Sequence, residues 1–476
     1  MTVIELGEVS TSSAGPAPAR PFHPRDLRRG LVAVIALLTV LGVTGSSRPE
    51  PRGLRTSWRI PATQEPFTVQ GDTLYVQRSF TPQFPSTALP GTKPRGPEDQ
   101  RPTLEARAMA DGKLRWKVAL EEAGGGSVDA GVPGLVMVPQ PEQQADGSNP
   151  TRSVIALDAA TGRERWRHRG EPYGRIGADR TLLVEWGARG GSILRLHMVR
   201  VADGATLWSY TPEEAAFVST TTLIGGTPDE PAEILMVDRI GGVEVHSLAD
   251  GKVVRTGKLP WLPADPGDDA YAYLMVFGDV LIAVTVENGA MNVSAHDVAT
   301  LRPRWSQFTE NTQLGGIFDC LGLICRGSSR LGMEALDPHT GRPTWRSDGW
   351  DYGHPLSDTR MFVESHDGGG NGVLDIRTGR LVARFPAGMV VTDQQTGGLV
   401  LLGFTREQPT RMTVNVLQPD NTLRLAGALP PFGEQGCQMS GSRLVCLNRR
   451  DQGANPDPAL VLADPANQEI VVTDVG

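Results

Sequence analysis

Apolar runs recur along the chain, each broken within a few positions by Gly, Asp, Ser or Thr. Runs of that length suit strands better than helices, and they predict an all-β chain of many short antiparallel strands. One pattern repeats: ARAMADGKLRWKV (106–118), IALDAATGRERWRH (155–168), VRVADGATLWSY (199–210), VHSLADGKVVRTG (245–257), AHDVATLRPRWSQ (295–307), EALDPHTGRPTWRS (334–347) and VLDIRTGRLVARF (373–385). Two weaker copies follow, VNVLQPDNTLRLAG (414–427) and LVLADPANQEIVV (460–472). Each copy reads as an apolar strand, a turn and a second strand. Glycine at the turn permits positive φ, and the Asp or Thr before it can bond the turn backbone, so each copy predicts a tight hairpin. The turn glycines are Gly112, Gly162, Gly204, Gly251, Gly341 and Gly379.

Tryptophan keeps step with these turns. Trp116, Trp166, Trp208, Trp305 and Trp345 each lie just beyond a turn, and Trp58 in TSWRI is an orphan of the same kind, so six of the nine Trp share one structural position. A large flat ring there is placed to pack between neighbouring sheets. Before the hairpins stand further pairs of apolar runs, such as VQGDTLYVQ (69–77), RIGADRTLLVEW (175–186), YLMVFGDVLIAVT (273–285), PLSDTRMFVES (355–365) and VVTDQQTGGLVLLG (390–403). A unit is therefore four short antiparallel strands, and its radial repetition is a β-propeller. A solenoid, the competing repeat architecture, would show shorter units and capping repeats. The expected ring has eight blades, with seven or nine as alternatives, and the Trp58 strand is expected to complete the blade formed by the C-terminal strands.

ALDAATGRERW and EALDPHTGRPTW resemble the pyrroloquinoline-quinone (PQQ) type propeller repeat, an apolar strand, Ala-x-Asp, x-x-Thr-Gly, three residues and Trp. The resemblance covers roughly residues 55–473 and implies the propeller fold. In fold it also resembles the outer-membrane assembly lipoprotein of Gram-negative bacteria, although no lipid-attachment Cys stands near the N-terminus.

Residues 1–29, rich in Ser, Ala and Pro, read as a disordered cytoplasmic tail. Residues 30–47 carry no charge and are long enough for a transmembrane signal-anchor helix, near the short limit for a bilayer span. Arg20, Arg25, Arg28 and Arg29 before this stretch favour an N-terminus in the cytoplasm and an exported propeller over 55–476, after a short linker at 48–54. A cleaved signal peptide with Val43 and Gly45 as small residues at the cleavage site is the alternative, giving a secreted protein. Cys320 with Cys325, and Cys437 with Cys446, form two local pairs that read as cross-strand disulfides, in keeping with export. Four Cys allow three connectivities, and buried free thiols are the competing reading.

The formal charge is -8 and no long basic run occurs, which excludes a nucleic-acid surface. The longest irregular insertions are 81–103, 139–152, 227–233, 259–269 and 366–372. Strand order places them all on one face, opposite the hairpin turns, where binding on a rigid ring usually resides. Trp261 and Tyr271 are candidates for an apolar patch there. The leading expectation is a membrane-tethered, non-catalytic scaffold of the cell envelope that binds a protein, a glycan or a small ligand and carries neither cofactor nor metal. The competing readings are enzymatic. A quinoprotein dehydrogenase would need a quinone, calcium and an Asp base, and would often carry adjacent cysteines, which this chain lacks. A lyase or glycosidase would need paired carboxylates that no motif singles out. Gly-x-Ser-x-Gly, His-Glu-x-x-His and phosphate-loop motifs are missing. His366, Asp367 and Asn371 in HDGGGNG offer oxygen and nitrogen donors but read as a blade loop, and His168 and His339 read as solvent-facing side chains.

Overall fold

The computed structural model describes residues 54–475 apart from 63–65, 79–100, 122–127, 130–131, 143–150, 187–192, 213–217, 225–230, 239, 261–270, 288–289, 310–313, 329–331, 366–368, 394–397, 406–407, 430–431 and 450–467. The tail and anchor expected over 1–47, and all but the last residue of the linker expected over 48–54, therefore lie outside the described residues. No described helix is long and apolar enough to cross a membrane.

Residues Arg52–Gly476 form one compact unit. It opens with β1 (Thr56–Ala62). Blade 1 is β2 (Phe67–Gln70), β3 (Thr73–Arg78), β4 (Thr103–Ala108) and β5 (Leu114–Ala119), and blade 2 is β6 (Leu135–Glu142), β7 (Thr151–Asp158) and β8 (Glu164–Arg169). Blade 3 is β9 (Glu171–Ile176), β10 (Arg180–Trp186), β11 (Ile193–Arg200) and β12 (Thr206–Tyr210). Blade 4 is β13 (Val218–Ile224), β14 (Glu233–Asp238), β15 (Gly242–Ser247) and β16 (Val253–Lys258). Blade 5 is β17 (Tyr271–Phe277), β18 (Val280–Glu287), β19 (Ala290–Asp297) and β20 (Pro303–Thr309). Blade 6 is β21 (Leu314–Asp319), β22 (Ile324–Ser328), β23 (Gly332–Leu336) and β24 (Pro343–Ser347). Blade 7 is β25 (Tyr352–Ser357), β26 (Arg360–Glu364), β27 (Asn371–Asp375) and β28 (Leu381–Phe385). Blade 8 is β29 (Met389–Thr392), β30 (Leu399–Thr405), β31 (Gln408–Leu417) and β32 (Leu423–Leu429). The last blade has the order β1-β35-β34-β33, from β33 (Phe432–Ser440), β34 (Arg443–Arg449) and β35 (Gln468–Asp474).

The ring thus has nine blades, not the eight expected. Eight blades close their outer hairpin internally. The ninth takes β1 as its outer strand, in register from Trp58 opposite Val472 to Ala62 opposite Gln468. The N-terminal strand therefore adds a blade that the eight hairpins do not contain. Of the weak copy at 460–472 only 468–472 lies among the described residues, in β35, which pairs with β34 and with β1 from the other end of the chain.

Blade 2 departs from the four-strand expectation. On its inner side β6 keeps one isolated bridge, Asp129 with Met137. Residues of a strand direct their main-chain bonds to the two sides alternately. Met137 exchanges both of its bonds with Asp129, so Pro139 and Pro141 face the same inner edge. Neither has an N–H to give, and an inner strand can pair there no further.

Side chains from each sheet bury against the next, and nine apolar clusters fill the nine junctions in turn. The junction that joins the two ends of the chain packs Ile60, Val445, Ile470 and Val472 of the ninth blade on Phe67, Leu74, Val76 and Met109 of the first. Gln438 of the ninth blade adds a polar clasp there. Its Oε1 accepts from the Val69 N–H at 2.8 Å, and its Nε2 donates to the Phe67 carbonyl at 2.8 Å.

Candidate functional site

Alternation of strand direction gives the ring two faces. Turns between first and second strands and between third and fourth strands emerge on one, the turn face. Connections between second and third strands and between blades emerge on the other, the loop face. Four of the five long insertions belong to the loop face, since 81–103 follows β3, 139–152 joins β6 to β7, 259–269 follows β16 and 366–372 joins β26 to β27. The fifth does not. Residues 227–233 join β13 to β14, the first two strands of blade 4, and so belong to the turn face.

On the turn face each tryptophan meets the glycine of the following blade. The rings of Trp58, Trp116, Trp166, Trp208, Trp305 and Trp345 lie against Gly112, Gly162, Gly204, Gly251, Gly341 and Gly379 in that order. The six glycines have φ between +66° and +72°. Each indole Nε1 donates to a carbonyl in the same turn region: Met109, Ala159, Val201, Leu248, Pro338 and Ile376, at 2.8 to 3.0 Å. Where the outer strand lacks a Trp, the next turn lacks the glycine. Arg255 in blade 4 precedes Leu301 in blade 5, and Ala383 in blade 7 precedes Asn421 in blade 8. Leu301 and Asn421 hold the same left-handed conformation, φ 57° and 67°. Leu301 is buried, with its side chain packed against Gly257.

Both local cysteine pairs are disulfides, Cys320–Cys325 and Cys437–Cys446. Cys320 and Cys325 are fully buried at the turn between β21 and β22. Cys437 and Cys446 are register partners on β33 and β34.

The histidines singled out in the sequence fall in different places. His339 is exposed on a hairpin turn, where its Nδ1 accepts from Arg304 at 2.8 Å. His168 does not simply face solvent: half-buried between blades 2 and 3, it contacts the Arg169 carbonyl through Nδ1 and the Thr206 hydroxyl through Nε2. Burial holds its pKa below the ordinary value. His366 and Asp367 lie outside the described residues. Asn371 is buried and uses its amide as a donor to the Gly388 carbonyl at 2.9 Å. Trp261 also lies outside the described residues. Tyr271 is the first residue of β17.

The loop face exposes large apolar side chains that the hydrophobic pattern does not single out. Ile240, 66% exposed, stands between β14 and β15, and Phe308, 64% exposed, stands near the end of β20. Leu194 at the start of β11 and Tyr352 at the start of β25 join them on that face, about half exposed. A lone apolar residue at a strand end carries no signal in a sequence. These four become legible only when strand order brings them to one face.

Polar networks cross the sheets beneath. Glu105 in blade 1 is buried among Arg107 at 2.9 Å and Arg78 and Lys117 at 3.5 Å. Burial alone would raise its carboxyl pKa, but the three cations outweigh that and hold it below the ordinary range. Glu334 in blade 6 is likewise buried and forms ion pairs with Arg326 and, at 3.4 Å, with Arg346. Glu364 in blade 7 is displaced the other way, raised by burial and by the neighbouring Asp351 charge. In blade 3, His197 joins Glu185 to Ser209, with Nε2 2.6 Å from the Glu185 carboxylate and Nδ1 2.8 Å from the Ser209 hydroxyl. The hydrogen bond from His197 holds the Glu185 carboxyl below its ordinary value. Among the described residues no group of three or more His, Cys, Asp or Glu is placed to hold a metal ion.

Residues 50–228 match a PQQ-repeat family model described as "Outer membrane protein assembly factor BamB". The chain carries PQQ-like propeller repeats. The matched residues hold blades 1 to 3 of this PQQ-like propeller and three of its Trp and Gly contacts. No curated protein matches the chain. Among solved structures, BamB from Moraxella catarrhalis is 16% identical, covering 78% of this chain and 99% of that one, with a TM-score of 0.41. A europium-containing methanol dehydrogenase is 11% identical over 88% of this chain and 93% of that one, TM-score 0.43. The computationally designed Ika8 protein is 12% identical over 80% and 100%, TM-score 0.44. At these identities and TM-scores the likenesses say nothing about function.

Proposed function

We propose that this propeller is a binding scaffold of the bacterial cell envelope rather than a quinoprotein, held to the membrane by residues 30–47 and presenting its loop face to a protein partner. The observation that carries the reading is the exposure of Ile240 and Phe308, the two most exposed large apolar side chains described, on the loop face. Apolar anchors on a rigid platform are what protein interfaces use, because little order has to be imposed on binding. The family match supports the same reading, since the protein that gives that family model its description is an assembly factor of outer-membrane proteins.

The test places a photo-crosslinking residue at Ile240 or Phe308, and for comparison at Val254 or Leu381 on the outer strands near the turn face, in the full chain expressed in a bacterial envelope. The expected result is a discrete adduct with one envelope protein from the first pair only, with the chain recovered in the membrane fraction. Equal crosslinking from both pairs would remove the loop face from the reading. A saturable thermal shift with PQQ plus calcium, about 2.7 kcal/mol at a hundredfold excess over Kd, would overturn the scaffold reading in favour of a quinoprotein.

A further inference from the structure

We propose that Ser209 is a nucleophile, activated by His197 and Glu185, that accepts acyl groups from activated esters at the rim of blade 3. The three side chains come from adjacent strands: Glu185 from β10, His197 from β11 and Ser209 from β12. His197 and Ser209 are direct cross-strand partners. The Glu185 and His197 side chains are buried, 9% and 8% exposed, whereas Ser209 is exposed on the outermost strand. The reactive atom thus faces solvent while the groups behind it are shielded.

The tautomer follows from the partners. An ionised carboxylate only accepts, so His197 donates Nε2–H to Glu185, and its Nδ1 is left with the lone pair that accepts the Ser209 proton. The imidazole is also held in place by the edge of the His168 ring, whose centroid is 4.7 Å away. Other buried histidines lack this arrangement. His246 meets the Glu244 carboxylate and the Gly251 carbonyl, and His296 meets the Ser294 hydroxyl and the Leu301 carbonyl. Only His197, of the three, joins a hydroxyl to a carboxylate.

In the step proposed, Ser209 Oγ attacks the ester carbonyl carbon while its proton passes to His197 Nδ1, and Glu185 stabilises the imidazolium. The ester C–O bond then breaks, the same proton goes to the departing alkoxide, and an acyl-Ser209 remains. Water repeats the sequence and releases the carboxylic acid. Charge on the carbonyl oxygen needs donors, and the open edge of β12 supplies them. Main-chain N–H groups alternate sides along a strand, so β12, the outermost strand of its sheet, directs some of them outward.

The experiment treats the full chain with p-nitrophenyl acetate and with a fluorophosphonate probe, and locates the adduct by peptide mass spectrometry. A single adduct on Ser209 is expected in the folded protein, lost on urea unfolding and absent in Ser209→Ala, which gives up the His197 bond but should still unfold cooperatively. His197→Gln keeps hydrogen-bonding capacity on both sides but cannot act as the base, and should slow labelling about 100-fold or more. A folded native protein that gives no Ser209 adduct overturns the proposal. So does His197→Gln labelling at the native rate, which would leave the three groups a structural chain.

Discussion

The indole of Trp58 lies so close to Gly112 that a Cβ on that glycine would sit 2.7 Å from Trp58 Cδ2. Two residues far apart in sequence thus close the ring, one on the last blade's outer strand and one on the first blade's turn. Gly112→Ala meets two penalties, the left-handed backbone at φ +72° and the overlap with the ring. The first costs about 1–2 kcal/mol and the second about 1–3 kcal/mol. Gly71, at φ +55°, isolates the first, because an added Cβ there would meet nothing within 4 Å. Urea unfolding should show Gly71→Ala losing about 1 kcal/mol and Gly112→Ala clearly more. Equal losses would mean that the Trp58 contact carries no weight.

The same contact between inner blades should appear as an interaction energy. Trp116→Ala is expected to cost about 3–5 kcal/mol and Gly162→Ala about 2–4 kcal/mol. With the ring gone, the Cβ at 162 has room, so the double variant should be more stable than the sum by about 1–3 kcal/mol. Blade 5 already shows this exchange: the residue in the Trp position before it is Arg255, and its turn carries Leu301. A double-mutant cycle with no coupling would show that the turn does not feel the ring.

Hairpin turns, the tryptophan spacing and the closing role of the Trp58 strand are all legible in the chain, because Gly at positive φ and a large ring leave local marks. The blade number is not. It depends on whether the N-terminal strand replaces part of a hairpin or adds to eight complete ones, and no local pattern says which. Nor does spacing reveal that each Trp answers to the glycine of the next unit rather than to its own. The insertion at 227–233 is expected on the wrong face because the polar run looks the same in either connection, and only the pairing of β13 with β14 assigns it. The Glu185, His197 and Ser209 chain is invisible in sequence, where its members are separated by 12 positions each.

Gln438 makes a second claim on ring closure. Its amide satisfies one N–H and one carbonyl of β2 across the seam, groups that the missing ladder partner would otherwise leave unpaired. Gln438→Ala removes both bonds and should destabilise by about 1–3 kcal/mol. Hydrogen exchange should show the effect as faster opening at Phe67–Gln70 than at the middle blades. Unchanged protection there would place the closure in Trp58 and the apolar cluster alone.

Acid should weaken the ring in two stages. Burial holds His296 and His354 below the ordinary histidine value of 6.5, so the unfolded chain takes up protons first as pH falls. Stability from these groups is complete above about pH 6.5 and is lost as pH drops toward their folded values. Asp158 and Asp297 are pulled from 3.8 down to about 2, chiefly by hydrogen bonds from Arg165 and Arg304 in turn. Their contribution is complete above the unfolded value of 3.8 and is lost between there and about pH 2. Denaturant midpoints measured across pH should therefore fall first below neutrality and again in the aspartate window. Asp297→Asn should flatten part of the second fall and leave the first unchanged; a single fall, or a second one unmoved by this variant, would assign the acid sensitivity to other groups.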